Sequence, residues 1–428
     1  MLFAFLAAAA MFLLARQQGR SAERQGLVKM MELPAEVEGE NAFAAVWLLG
    51  YDVPAGRIEA AAADDVQRFE RNVAALEGDE TVENFASGAS TDYPVLVPKG
   101  GRDDAWCDFD QDCLAHVRRH REPLAGQEAR LQAMHAQVAA LAEYGYYRNA
   151  FPPRVDAPFP AHLASVPRAA LTWAALQYDR GDVEAGLDAV CEVASAWRPL
   201  VANSDSLVVS MVAERVHDGA SRLFAAMLAR DRRAAITDSC RVAFAAPDVG
   251  EASVCEAMKG EFRLVSGHLM TDGSLGGEPL PWHAFFTYDA EASRGRLARF
   301  HARACDEHAS RRLSQDEAFT RAPLADGFET ECVANVLGCI LTSIAAPAYD
   351  DYHRRGQDHL MRMRLMATLL WLRSSESDPL PLEARLALRP AALRSPGREL
   401  QPGGDGRTLG FRLYSNRGPA TWQVPVSQ

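Results

Sequence analysis

The sequence predicts a mainly α fold: stacked helical hairpins in an irregular α-bundle or solenoid-like body, ending in a short C-terminal β-hairpin or extended tail. Three observations carry this expectation. Apolar residues recur every three or four positions through most of residues 40 to 375. Polar N-caps ahead of these runs, and Gly or Pro behind them, cut the stretch into segments of helical length. Strand-like alternation enters near the end, in Leu409 to Tyr414 and Thr421 to Val426, around Asn416, Gly418 and Pro419.

Taken in order, Asn41 to Leu49 reads as a helix with Phe43, Val46 and Trp47 at core spacing, stopped by Gly50 and Pro54. A second helix, 54 to 76, lays Ile58, Ala62, Val66, Phe69, Val73 and Leu76 along one stripe. Residues 78 to 105 form a long polar loop, either a binding loop or a tether. A long helix over 122 to 148 carries Leu131, Met134, Val138 and Leu141 and ends at Tyr144, Tyr146 and Tyr147. The stretch FPPRVDAPFP, 151 to 160, breaks the chain and marks the best domain boundary, with the aromatic cluster beside it packed as an elbow. Helices follow at 161 to 179 and 182 to 197, then at 205 to 217 and 219 to 230, the last two facing Leu207, Met211, Leu223 and Met227 inward. Further helices are predicted at 252 to 269, 290 to 312, 328 to 344 and 348 to 374. Met361, Met363 and Met366 are read there as core fillers. The resulting division is an N-terminal segment 1–20, a helical domain 40–150, a hairpin domain 161–375 and a tail 376–428.

Composition narrows the function classes. The chain has 428 residues, 48% hydrophobic and 24% charged, enough for one large core or two ordinary ones, which excludes collagen-like, disordered and multi-span membrane classes. With 57 acidic against 45 basic residues the net charge is -12, so no nucleic-acid partner is expected.

The amino terminus points to a membrane. Residues 2 to 15, LFAFLAAAAMFLLA, are an uncharged run of 14, followed by Arg16, Arg20, Arg24 and Lys29. The run has the length of a signal-peptide core and is shorter than the roughly 18 to 20 residues of a full span. No basic residue precedes it, and Ala8-x-Ala10 is a poor cleavage site; a basic stretch upstream of Met1 would complete the pattern. A buried N-terminal helix of a soluble protein is the alternative. The positive-inside rule alone would place the body in the cytoplasm.

Cysteine usage argues the other way. Cys107, Cys113, Cys191, Cys240, Cys255, Cys305, Cys332 and Cys339 form an even set, which behind an export-like segment predicts up to four disulfides in an oxidising compartment. Eight buried thiols in a cytoplasm-facing protein are the alternative. No CxxC pair is present, so zinc is not expected. Cys107 and Cys113 flank a short polar turn and are expected to pair. Cys332 and Cys339, placed in one helix, stand about 10 Å apart along its axis, too far to bond. Each is therefore expected to pair among Cys191, Cys240, Cys255 and Cys305, with the connectivity open.

Two resemblances add to this reading. The pattern Ala174, Tyr178, Gly181, Asp182, Gly186 and Leu187 loosely resembles a tetratricopeptide motif over one helix pair, one residue short between the tyrosine and the glycine. The phrases ENAFAAVWLLGYDVP (40–54), YDRGDVEAGLDAVCEVASAWRPL (178–200) and FRLYSNRG (411–418) are similar to exported or membrane-anchored α-helical proteins of proteobacteria. That resemblance implies an envelope location and no activity.

Candidate chemistry is sparse. HExxH, Walker A, Rossmann and GxSxG patterns are absent. Ser274 in DGSLGG has Asp272 where a nucleophile elbow needs glycine, so a surface turn is expected. His301, Cys305 and His308 are spaced to share a helix face, but a disulfide cysteine beside solvated acids is the preferred reading. His116 and His120 lie in the cationic VRRHRE and read as a solvated face, and the arginines from Arg294 to Arg312 as a salt-bridged helix. No metal, cofactor or catalytic residue is assigned. The sequence favours an envelope binding or interaction module, anchored in the inner membrane or periplasmic, with an unidentified protein or peptide partner. A periplasmic enzyme and a cytoplasm-facing anchored protein with free thiols are the alternatives. An enzyme should bring ionisable groups together in a deep pocket, and an interaction module should expose an apolar surface.

Overall fold

The structure is a computed structural model that describes residues 2–76, 81–271, 274–275, 278–319, 329–374, 380–404, 406–415 and 418–426. It is 63% helical and 5% strand, so the mainly α expectation holds.

Helices α1 (Leu2–Gly19) and α2 (Ala22–Glu32) open the chain, hinged at Ser21, which caps α2 by accepting from Arg24 N. Strand β1 (Glu40–Asn41) pairs in parallel with β2 (Tyr144–Tyr146), and Asn41 Oδ1 accepts from both Phe43 N and Arg148 N. Short α3 (Phe43–Trp47) and α4 (Ile58–Ala74) pack together as the stripe predicts, with Ala62 and Phe69 buried. Asp65, also buried on that face, accepts from Trp47 Nε1 (2.8 Å), Ser87 Oγ (2.5 Å) and Gly88 N (2.9 Å). That carboxylate pins the described part of the predicted long loop, which also holds α5 (Ala89–Asp92).

The helix expected over 122 to 148 is instead broken. The structure has α6 (Cys113–Arg119), α7 (Arg121–Ala125) and α8 (Glu128–Ala140), with Gly126 and Gln127 between the last two, and Tyr144–Tyr146 belongs to a strand. Glycine interrupts the helix, and the tyrosines favour the extended backbone of β2. Residues 151–160 do not separate two cores. Phe151 packs edge-on against Phe43 at 5.5 Å and Trp47 at 4.8 Å, and one core takes in residues on both sides of the stretch, from Ala42 to Val424.

The centre is an antiparallel stack of α9 (Ser165–Asp179), α10 (Val183–Ala202) and α11 (Leu207–Arg230). The turn between α9 and α10 uses Gly181 at φ +96° and Asp182 as N-cap. A Cβ on Gly186 would lie 2.7 Å from Tyr178 Cβ, so the tetratricopeptide-like glycine permits a close helix approach. The two helices expected at 205–217 and 219–230 are one: Gly219 does not stop α11 but admits Phe109 and Leu171 against its backbone.

After α12 (Asp238–Ala243) and α13 (Cys255–Leu269), three two-residue strands, β3 (Met270–Thr271), β4 (Ser274–Leu275) and β5 (Glu278–Pro279), form a small antiparallel sheet. Helix α14 (Ala290–His301) ends short of the predicted 312, because the chain turns at Cys305 and Asp306 restarts it as the cap of α15 (Glu307–Gln315). Helix α16 (Val336–Ser374) runs through both helices predicted at 328–344 and 348–374, which are one, while Thr330–Val333 ahead of it is a 3-10 turn. Helix α17 (Leu382–Ala387) leads to an antiparallel sheet of β6 (Gln401–Pro402), β7 (Thr408–Arg412) and β8 (Thr421–Pro425), whose Leu409, Phe411, Trp422 and Val424 are buried. This is the expected C-terminal hairpin with one short strand added; Asn416 lies outside the described residues. Arg398 ties the sheet to α16 through Asp358 (2.5 Å) and to Asp316 through two bonds of 2.7 and 2.9 Å.

Candidate functional site

All eight cysteines stand in bonded pairs: Cys107–Cys113, Cys191–Cys240, Cys255–Cys305 and Cys332–Cys339. The first is as the sequence predicts. The expectation that Cys332 and Cys339 must each find a partner elsewhere is wrong. They do not share one helix: Cys332 sits in a 3-10 turn, Thr330–Val333, and Cys339 in the first turn of α16, so the bend between them brings their Cα atoms to 5.8 Å. Cys191–Cys240 joins α10 to α12, and Cys255–Cys305 joins α13 to the turn after α14. Glu331 lies beside Cys332 and Cys339, but the bonded sulfurs offer no thiolate and Glu331 is engaged by Arg24 and Arg296.

The most developed surface feature is the junction of α1 and α2 with the body. Ala9, Phe12, Ala15, Arg16 and Gly19 form the body-facing stripe of α1, and a Cβ on Gly19 would meet Ala292 Cβ at 2.7 Å. Arg16 and Arg20 each donate to Asp289 at 2.9 Å, and Arg20 reaches Glu291 at 3.1 Å. Asp289 also caps α14 by accepting from Ala292 N (3.0 Å), while its own N–H donates to Asn335 Oδ1 (3.0 Å). Arg24 pairs with Glu331, and Met31 of α2 enters a second core with Met258, Phe262 and Leu297. A cavity of 640 Å³ opens between α2 and α14, lined by Arg20, Arg24, Lys29, Glu32, Glu291 and Arg294 among others. One turn before Arg16 on the same stripe, Phe12 touches Phe285 and Phe286, which with Trp282 are largely exposed.

A second cluster of ionisable groups is closed to solvent. His217 of α11 and His359 of α16 meet edge to face with ring centres 5.1 Å apart. Burial, with the Arg198 charge, pushes the His217 imidazole down to about 3, and burial beside His217 holds His359 well below its usual range. Glu214 pairs with Arg362 at 2.7 Å, and Asp218 accepts from Trp422 Nε1 at 2.6 Å. Burial raises the Glu214 carboxyl in spite of Arg362. The cavities of 640, 470 and 420 Å³ are lined by neither histidine. The cluster fastens α11, α16 and β8 together and presents no reacting group to a ligand.

The remaining sequence candidates disperse. His301 is buried and bonds Leu297 O at 3.0 Å, Cys305 is in its disulfide, and His308 faces Arg312, so the three do not converge. His116 stacks on His120 with ring centres 4.1 Å apart; His116 is buried, which the solvated-face reading missed. Arg294, Arg296 and Arg299 pair with Glu32, Glu329 and Glu331. Met361, Met363 and Met366 are core. Ser274 lies in β4, while Asp272 falls outside the described residues. Sequence reasoning overlooked Asp289 and the aromatic turn Trp282–Phe286; the available signal was WHAFF set between Pro281 and the N-cap Asp289.

Comparison with protein families, with curated proteins and with solved structures finds no match to any of them.

Proposed function

We propose that the chain is an envelope protein, held at the inner membrane by α1, whose disulfide-fastened helical body faces the periplasm and works as a binding or interaction module. The observation that carries this reading is the pairing of all eight cysteines, two of the bridges closing separations of 49 and 50 residues. Disulfides of that reach persist outside the reducing cytosol. The apolar 18-residue window within Leu2–Glu32 that could enter a membrane is only 11% buried, which supports an anchor over a core helix.

An interaction role is favoured over catalysis by where chemistry and apolar surface lie. The ionisable groups that converge around His217 and His359 are sealed inside the body, whereas a cluster of large aromatics is exposed beside α1. The test is protease treatment of intact spheroplasts. The reading expects the body to be digested from outside; a body protected until the membrane is lysed contradicts it.

A further inference from the structure

The exposed apolar surface next to α1 has a geometry that selects its partner. The uncharged run Leu2–Ala15 has 14 residues, a helical rise of about 21 Å. That falls short of the ~30 Å hydrocarbon thickness of a bilayer. Phe12 lies one turn inside the charged end of this run, and its ring sits 6.4 Å from Phe285 and 6.0 Å from Phe286. Those two body residues therefore stand at the depth of Phe12. Charge begins at the same level: the Arg16 guanidinium lies 3.9 Å over the Phe285 ring and reaches back to Asp289, as an arginine does when its stem follows an apolar surface and its head leaves it.

The apolar surface continues past the helix. Trp282 is 82% exposed, and Phe285 and Phe286 are each more than half exposed. Helix α16 begins against the same turn, where Leu337 N donates to Thr287 O at 2.9 Å. Its first turns present Val336, Ile340 and Ile344 at a spacing of four, with Ile344 72% exposed, while Cys339 and Thr342 face inward and are buried. Aromatic residues, tryptophan above all, favour the boundary between headgroups and acyl chains.

We propose that the body docks on the lipid bilayer entered by α1 through Trp282, Phe285 and Phe286, with Ile340 and Ile344 beside them. The docked residues lengthen an apolar surface that the 14-residue run leaves short, and the occupant is the membrane rather than a second protein because the patch is continuous with the anchor. This inference rests on the anchored reading given above.

The experiment uses the full chain reconstituted into phosphatidylcholine–phosphatidylglycerol vesicles, with and without brominated acyl chains. Flotation of the vesicles reports anchoring, and quenching of tryptophan emission by bromine reports docking. Trp282 is one of seven tryptophans, so brominated lipid is expected to quench a minor part of the emission, and Trp282→Phe is expected to abolish that quenching. The variant Phe285→Ser/Phe286→Ser should reduce it. A chain that floats without quenching, or a Trp282→Phe chain quenched as strongly as the parent, overturns the docking surface and leaves the anchor standing. A chain that fails to float overturns the anchored reading and the docking with it.

Discussion

Arg16 donates through Nε to a carboxylate with no exposed side-chain surface, Asp289 at 2.9 Å, across 273 residues of sequence. The arginines behind an apolar leader are ordinarily read as topology signals. Here Arg16, Arg20 and Arg24 are clamped to Asp289, Glu291 and Glu331 of the folded body, which makes α1 part of the tertiary structure.

Replacing Asp289 separates two contributions. Asp289→Asn keeps an acceptor for Ala292 N and removes the charge, whereas Asp289→Ala removes both. Loss of the partner of two arginines is expected to cost about 2–4 kcal/mol, and loss of the cap about 1 kcal/mol more. Denaturant unfolding of the two variants in detergent checks this; equal stability to the parent would show that the clamp contributes nothing.

Acid should destabilise the body through its buried histidines, from about pH 6.5 downward. Burial lowers His217 to about 3 and His301 and His353 to about 4, with His359 also depressed. A depressed histidine is neutral when folded but binds a proton when unfolded below about 6.5, so stability is full above that pH and falls as pH drops toward 4. Each such group contributes a slope of about 1.4 kcal/mol per pH unit. The buried Glu214 and Glu261, raised by desolvation, act in the opposite sense over the range between their folded and ordinary values. Unfolding curves from pH 7.5 to 4.5 should show the fall, and His217→Gln/His359→Gln should flatten it by about two protons. An unchanged slope in that double variant contradicts the buried neutral pair.

Removing bridges one at a time should rank by loop length. Chain-entropy arguments give about 4 kcal/mol for the Cys191–Cys240 and Cys255–Cys305 loops and about 2–3 kcal/mol for the short ones, given separations of 49 and 50 against 6 and 7. Serine double replacements followed by thermal unfolding test the order.

Arg398 should hold the C-terminal sheet. It bridges Asp316 and Asp358, both buried, and stacks 3.8 Å from the Tyr414 ring. Arg398→Ala leaves two buried carboxylates without their cation and is expected to cost about 3–5 kcal/mol. Arg398→Lys recovers only part, since an ammonium cannot make the paired bonds to Asp316. Limited proteolysis should release the segment after residue 380 sooner in both variants.

Much of this was legible because local signals act locally. Asp182 caps α10 at the predicted start of that helix, as a side chain next to an apolar run does, and the Cys107–Cys113 turn closes on itself. The failures came where tertiary contacts decide. Gly219 reads as a breaker from sequence, yet α11 needs it for the approach of Phe109 and Leu171. Cys332 and Cys339 looked unbridgeable because helical spacing was extended across Ala334 and Asn335, where the backbone turns. The distant pairings of Asp65 and Arg398 carry no local mark, and although Asp289 is a local N-cap, nothing near it signals Arg16, since these partners lie from 18 to 273 residues away.

The most direct measurement is a count of free thiols in the protein purified under alkylating conditions from its native membrane, denatured, before and after reduction. The account predicts none before reduction and eight after it. Eight reactive thiols before reduction would place the body in a reducing compartment and contradict it.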